Sequence, residues 1–163
     1  MSLSEKLSND ILEFLAILHD HKVEYVMVGG NAVIFYGHSR LTGDIDIFFN
    51  PSEENIVKLW SALLDFWQGD VPGIENMNEL MDATVVIQFG SPPNRIDLMN
   101  SLSGVDFPGV WKNKVSETVQ ISQDKSISIN IIGIGDLIRN KQQVSRAKDM
   151  DDLTFLLKRN PNP

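Results

Sequence analysis

The chain has 163 residues, of which 42% are hydrophobic and 22% charged, with no cysteine and a formal net charge of -8. That is enough chain for one hydrophobic core, and no apolar run approaches the ~20 residues that a membrane-spanning helix needs. The lack of cysteine excludes disulfides and thiolate metal sites and directs any metal to oxygen ligands, Mg²⁺ fitting best. The acidity argues against a broad footprint on nucleic acid and for a small-molecule or protein substrate.

The first residues, MSLSEKLSNDILEF, are acidic and amphipathic. They lack the basic start, apolar centre and cleavage site of a secretory signal, so a cytoplasmic location is expected. Ile11, Phe14, Leu15 and Leu18 recur at helical spacing behind Ser8 and Asn9, which predicts a helix to about His21. Tyr25–Val28 reads as a buried strand ending in a Gly29-Gly30 turn, and residues 32–36 as a short helix closed by Gly37. Asp44–Phe49 alternates polar and apolar side chains, the period of a half-buried strand. Ser52 caps a helix over 53–67 that turns Ile56, Leu59, Trp60, Leu63 and Leu64 inward. Residues 69–82 suit a loop with a helical turn, and strands at 83–89 and Arg95–Met99 form a hairpin around GSPPN. Strands at 118–122 and 126–131 surround QDK, followed by a helix from about Ile134 and a last one over 146–157. One domain is expected over residues 1–158, with a frayed tail at 159–163 and no internal repeat or linker.

In a strand, residues two apart project from one face about 6.5 to 7 Å apart, so Asp44 and Asp46 point together while Ile45 and Ile47 enter the core. Adjacent carboxylates repel unless a positive group lies between them. Mg²⁺ suits, because one or two carboxylates hold it while water and substrate phosphates complete its octahedron. The alternative is an edge strand with a solvated acidic face. Gly29-Gly30 allows close backbone approach to a phosphate, or is a plain tight turn. Asp97 stands in the apolar strand NRIDLM, where a lone buried carboxylate is costly, so it should face a pocket, a partner or solvent. Three carboxylates on neighbouring strands beside a glycine turn favour a phosphate-plus-metal site.

The glycine pair, RLTGDID a dozen residues on, and the later lone aspartate resemble the nucleotidyltransferase superfamily that includes DNA polymerase beta. The chain looks most like its small bacterial members: minimal nucleotidyltransferases, abortive-infection-type toxin enzymes and lincosamide nucleotidyltransferases. DLIRNKQQVSRAKDMDDL, residues 136–153, is similar to their C-terminal segment, so the likeness runs from about Tyr25 to Leu153. The resemblance implies an α+β (α/β) nucleotidyltransferase fold with a small mixed, mostly antiparallel sheet flanked by helices. It implies that Asp44, Asp46 and Asp97 are catalytic and bind Mg²⁺, in a two-metal arrangement with Mn²⁺ as a substitute. Gly29 and Gly30 would cradle a nucleoside triphosphate such as ATP, Lys141 would neutralise it, and Arg40 and Thr42 would support or orient the substrate. The implied reaction passes a nucleoside monophosphate to an acceptor hydroxyl and releases pyrophosphate, with Asp97 placed as general base.

The chain departs from the pattern at Asn31, where many members place a serine near the glycines to bind phosphate. Either the Asn31 amide substitutes or that contact is missing. The acceptor-binding domain of larger enzymes is not expected, which leaves acceptor recognition to a homodimer, a toxin–antitoxin partner or the 69–82 loop. A small-molecule or protein acceptor fits the acidity better than nucleic acid. Two other functions stay open: an inactive binding or antitoxin-type module acting through a partner protein, and a metal-dependent phosphohydrolase. Without the resemblance, Lys141, Arg146, Lys148, Asp149 and Asp152 read as a solvated helix surface. His38 has no metal-ligand spacing to His19 or His21 and should be exposed or locally hydrogen-bonded. Trp60, Trp67 and Trp111 fit the core or its rim.

Overall fold

The computed structural model describes residues 3–162. Along it run α1 (Leu3–Lys6), α2 (Asn9–Asp20), β1 (Tyr25–Val28), α3 (Gly29–Phe35), β2 (Asp44–Phe49) and α4 (Glu53–Phe66). A 3-10 turn at Met77–Met81 precedes β3 (Ile87–Phe89), β4 (Arg95–Met99), α5 (Phe107–Asn113), β5 (Val115–Ser122), β6 (Lys125–Ile131), α6 (Ile134–Val144) and α7 (Ala147–Arg159). The strands make one mixed sheet in the order β3-β4-β2-β1-β6-β5. The pairs β1/β2, β3/β4 and β5/β6 are antiparallel, while β2/β4 and β1/β6 are parallel. This is the expected α+β class, with an open and mostly antiparallel sheet.

Each element follows from local chemistry. Ser8 Oγ accepts the Ile11 N–H and Ser52 Oγ the Asn55 N–H, so α2 and α4 start at side-chain caps. Their apolar stripes meet over one face of the sheet, where Phe14 lies edge-on to Phe66 with ring centroids 5.2 Å apart. The four residues of β1 are all buried, as a central strand covered on both faces must be. In β2 the alternation holds at its start, with Ile45 and Ile47 buried and Asp44 and Asp46 only half-buried. Phe48 shares the aspartates' face by the two-residue period. There Phe107 of α5 packs edge-on against it at 5.3 Å, so α5 covers the far end of that face and leaves the aspartate end open.

Five elements differ from the sequence reading, the first being α1, a single helical turn ahead of Ser8 that the apolar spacing does not show. Gly29-Gly30 is not a free turn, because α3 begins at Gly29 directly behind β1. β3 is three residues long, not seven: Asn100 Nδ2 donates to the Leu80 carbonyl and Ser101 Oγ to that of Ala83. Those side chains hold the approach to β3 outside the ladder and leave Val85 and Val86 exposed. α5 was not expected, since Pro108 and Gly109 lower its propensity, but Asp106 caps it by accepting the Gly109 N–H. β5 gains Val115 to Glu117 by pairing with Asn130 and its neighbours on β6. The expected tail begins at Arg159, which is still helical in α7, and its last residue, Pro163, lies outside the described residues.

Among the described residues, no helix is long and apolar enough to cross a membrane.

Candidate active site

The parallel register of β2 and β4 sets Asp44 opposite Arg95 and Asp46 opposite Asp97. Cross-strand partners share a face, so four charged side chains emerge as one block while Ile45, Ile47, Ile96 and Leu98 are buried. Asp44, Asp46 and Asp97 each bring one carboxylate oxygen within 4.8 Å of the others. Asp97 is 5% exposed, yet it is paired: Arg95 Nε donates to Oδ1 at 2.8 Å and Arg95 Nη2 to Oδ2 at 3.0 Å. Gln88 Nε2, across from it on β3, adds a bond to Oδ2 at 3.2 Å. Asp44 receives Arg95 Nη2 on Oδ2 at 2.6 Å and the Thr42 hydroxyl on Oδ1 at 2.8 Å.

Asp46 is treated differently. Among the described residues, no donor reaches its carboxylate. Burial first, and then repulsion from Asp44 and Asp97, push its carboxyl up to about 7, against the opposing pull of Lys141 and Lys148. The glycine pair explains how it fits. Gly29 has φ +64°, and a Cβ there would lie 2.0 Å from Asp46 Oδ2. A Cβ on Gly30 would lie 2.8 Å from Thr42 Oγ1. The two glycines thus let the α3 backbone close onto Asp46 and Thr42.

These residues line a cavity of ≈ 390 Å³ together with Arg40, Lys141, Arg146 and Lys148. Its basic wall is not the solvated surface that the charges of α6 and α7 suggest in sequence. Lys141, Asp149 and Asp152 are buried, and Lys141 Nζ lies 2.8 Å from Asp149 Oδ1 and 2.9 Å from Asp152 Oδ2. Arg40 Nη1 reaches Asp152 Oδ2 at 2.5 Å, and Arg146 Nε reaches Asp149 Oδ2 at 2.7 Å. Burial alone would raise the Asp149 carboxyl, but hydrogen bonds from Arg146 and Lys141 outweigh it and hold the group at about 2. Lys148 lines the same cavity and makes no ion pair among the described residues.

Of the residues singled out in sequence, Gly29, Gly30, Arg40, Thr42, Asp44, Asp46, Asp97 and Lys141 come together on this cavity. Asn31 is buried, and its Nδ2 donates to the Asp44 carbonyl at 2.7 Å, which ties α3 to β2. His38 is locally paired: Nε2 lies 3.1 Å from Asp151 Oδ2, and the ring stacks on Phe155 at 4.5 Å. Trp60, Trp67 and Trp111 pack partly buried against the core. Sequence reasoning missed Arg95 and Gln88. The first was legible in principle, since R-x-D at strand spacing puts Arg95 on the face of Asp97.

The donor set fits a hard divalent cation. Among the described residues it consists of carboxylates only, converging within one coordination shell's reach, with one member lacking any donor there and perturbed by burial and by its like-charged neighbours. A second group, His38, Asp151 and Asp152, also converges, but Asp152 is already neutralised by Arg40 and Lys141.

Paired carboxylates on adjacent strands, a glycine-floored cavity and a basic wall are the makings of a site for metal-assisted phosphoryl chemistry. Residues 5–156 match the family described as a nucleotidyltransferase of unknown function, DUF6036, and the chain belongs to that family. Comparison with curated proteins returned no match.

Proposed function

We propose that this protein is an Mg²⁺-dependent nucleotidyltransferase that moves a nucleoside monophosphate from a nucleoside triphosphate to an acceptor hydroxyl. The observation that carries the reading is Asp46, a carboxylate with no donor among the described residues, beside two others and open to a cavity lined by cations. Asp44, Asp46 and Asp97 hold the cation, with Mn²⁺ able to replace Mg²⁺. Bound there, the cation supplies charge neutralisation at the phosphoryl oxygens and lowers the acceptor's pKa. Gly29 and Gly30, closed onto Asp46 and Thr42, line the cavity that takes the phosphates, Thr42 and Asn31 hold Asp44 from its side chain and its carbonyl, and Arg40, Lys141 and Lys148 give the cavity wall its positive charge. The acceptor oxygen bonds to the α-phosphorus, the bond to the departing pyrophosphate breaks, and the acceptor proton passes to Asp97 as general base. The acceptor is a small molecule or a protein, reached as a single domain, a homodimer or a complex with a toxin–antitoxin partner in the cytoplasm.

The test is transfer of label from α-labelled nucleoside triphosphates with Mg²⁺, alongside calorimetric titration of non-hydrolysable analogues. Multiple turnovers lost in Asp44→Ala support the enzyme. A second reading, a binding module without turnover, is favoured by one observation: Arg95 already neutralises two of the three carboxylates. Analogue binding by folded protein with no transfer to any acceptor would favour that module.

A further inference from the structure

Arg95 stands where a cation is wanted. Its guanidinium donates to Asp44 Oδ2 at 2.6 Å and to both oxygens of Asp97 at 2.8 and 3.0 Å, so one fork-shaped side chain bridges two strands. This is the geometry for which arginine is suited and lysine is not, since a planar fork can satisfy two carboxylates at once. The oxygens it takes belong to two of the three residues whose carboxylates converge. Among the described residues, the third, Asp46, has no donor at all.

Resting on the cation-binding reading above, we infer that Arg95 is an internal counter-cation that competes by direct contact with the divalent ion for Asp44 and Asp97. The side chain is 29% exposed and lines the cavity, so its way out leads into open space and not through the core. Asp44 keeps its Thr42 bond and Asp97 its Gln88 bond when Arg95 leaves, so both carboxylates stay oriented for an incoming ion. Asp46 is the point of first capture, because no side chain among the described residues has to be displaced from it. Apparent affinity for the ion is then lowered by the fraction of molecules in which Arg95 has let go.

The experiment is Mn²⁺ titration without nucleotide, read by the electron paramagnetic resonance signal of free Mn²⁺, on wild type, Arg95→Gln and Arg95→Lys at fixed ionic strength. Contact competition predicts binding about tenfold tighter in Arg95→Gln than in wild type, with Arg95→Lys in between. The lysine variant keeps the charge but loses the fork, so it separates contact from field. Arg95→Lys binding like wild type while Arg95→Gln binds more tightly would reduce the effect to charge at a distance and overturn the inference. Equal binding by all three, or tightest binding by wild type, overturns it and leaves the cation reading intact. Binding by none of three folded proteins overturns both. If Arg95→Gln does not fold in metal-free buffer, Arg95→Lys against wild type decides.

Discussion

The carboxylate of Asp46 rests on the α-carbon of Gly29, so closely that a Cβ there would fall 2.0 Å from Oδ2. Gly29→Ala must therefore either push Asp46 out of the site or shift α3, at a backbone angle, φ +64°, that alanine already resists. We expect a loss of roughly 2–4 kcal/mol in urea denaturation, combining left-handed strain with overpacking. Mn²⁺ binding should fall with it. Unchanged stability would show that the glycine is not there to admit Asp46.

Asp46→Asn removes the carboxylate that the fold tolerates least. The raised carboxyl keeps its proton in the folded state from its ordinary 3.8 up to about 7, where the unfolded chain has lost it. The native state then binds more protons over that window, so its stability falls as pH rises towards 7 and levels off above. In metal-free buffer near pH 8 the asparagine variant should be more stable than wild type by on the order of 2–4 kcal/mol, with little difference near pH 4. It should also fail to bind Mn²⁺ and to transfer nucleotide. Chemical denaturation at the two pH values, with chelator present, measures the first effect.

Lys141 and Lys148 line one cavity and should respond in opposite ways. Lys141→Met takes away the cation that Asp149 and Asp152 share and leaves them Arg146 and Arg40, so the loss should lie at the low end, about 3 kcal/mol, of what breaking a buried pair from one side costs. Lys148→Ala removes an ammonium with no ion pair among the described residues, so stability should stay within ~0.5 kcal/mol. If the cavity takes a triphosphate, Lys148→Ala weakens binding of a non-hydrolysable analogue in calorimetry. Paired denaturation and titration of both variants give the comparison.

Asp149 sets the acid limit. Its folded carboxyl lies at about 2, below the ordinary 3.8, so its contribution is fully present above that value and is lost as pH falls through 2. The shift corresponds to about 2 kcal/mol, given up between about pH 4 and pH 2. In Asp149→Asn the fall of stability with acid over that window should be shallower by close to one proton. Denaturation midpoints at half-unit pH steps would show it.

Much of this protein was legible before any coordinate. Three of the strands that build the site, β1, β2 and β4, stand where apolar runs and two-residue alternation put them. The same alternation placed Asp44 and Asp46 on one face and made Asp97 an anomaly that needed a pocket. Those are consequences of local stereochemistry, which the sequence carries residue by residue. The partner of each charge was not legible. Arg95 meets Asp44, 51 residues away, only because β2 and β4 pair in parallel and in one register, and no local period encodes a register between distant strands. By charge patterning alone, without the resemblance that placed it in the site, Lys141 reads as a solvated lysine, because patterning along a helix does not say what covers it; packing of α6 against α7 buried it with Asp149 and Asp152. The glycine pair was visible, but that Gly29 makes room for Asp46 is a fact of two strands and a helix meeting at one point. Sequence by itself determined which residues carry charge and which way each strand faces. Only the tertiary structure decided which charges neutralise one another and which one, Asp46, is left over, because that depends on contacts between residues far apart in the chain.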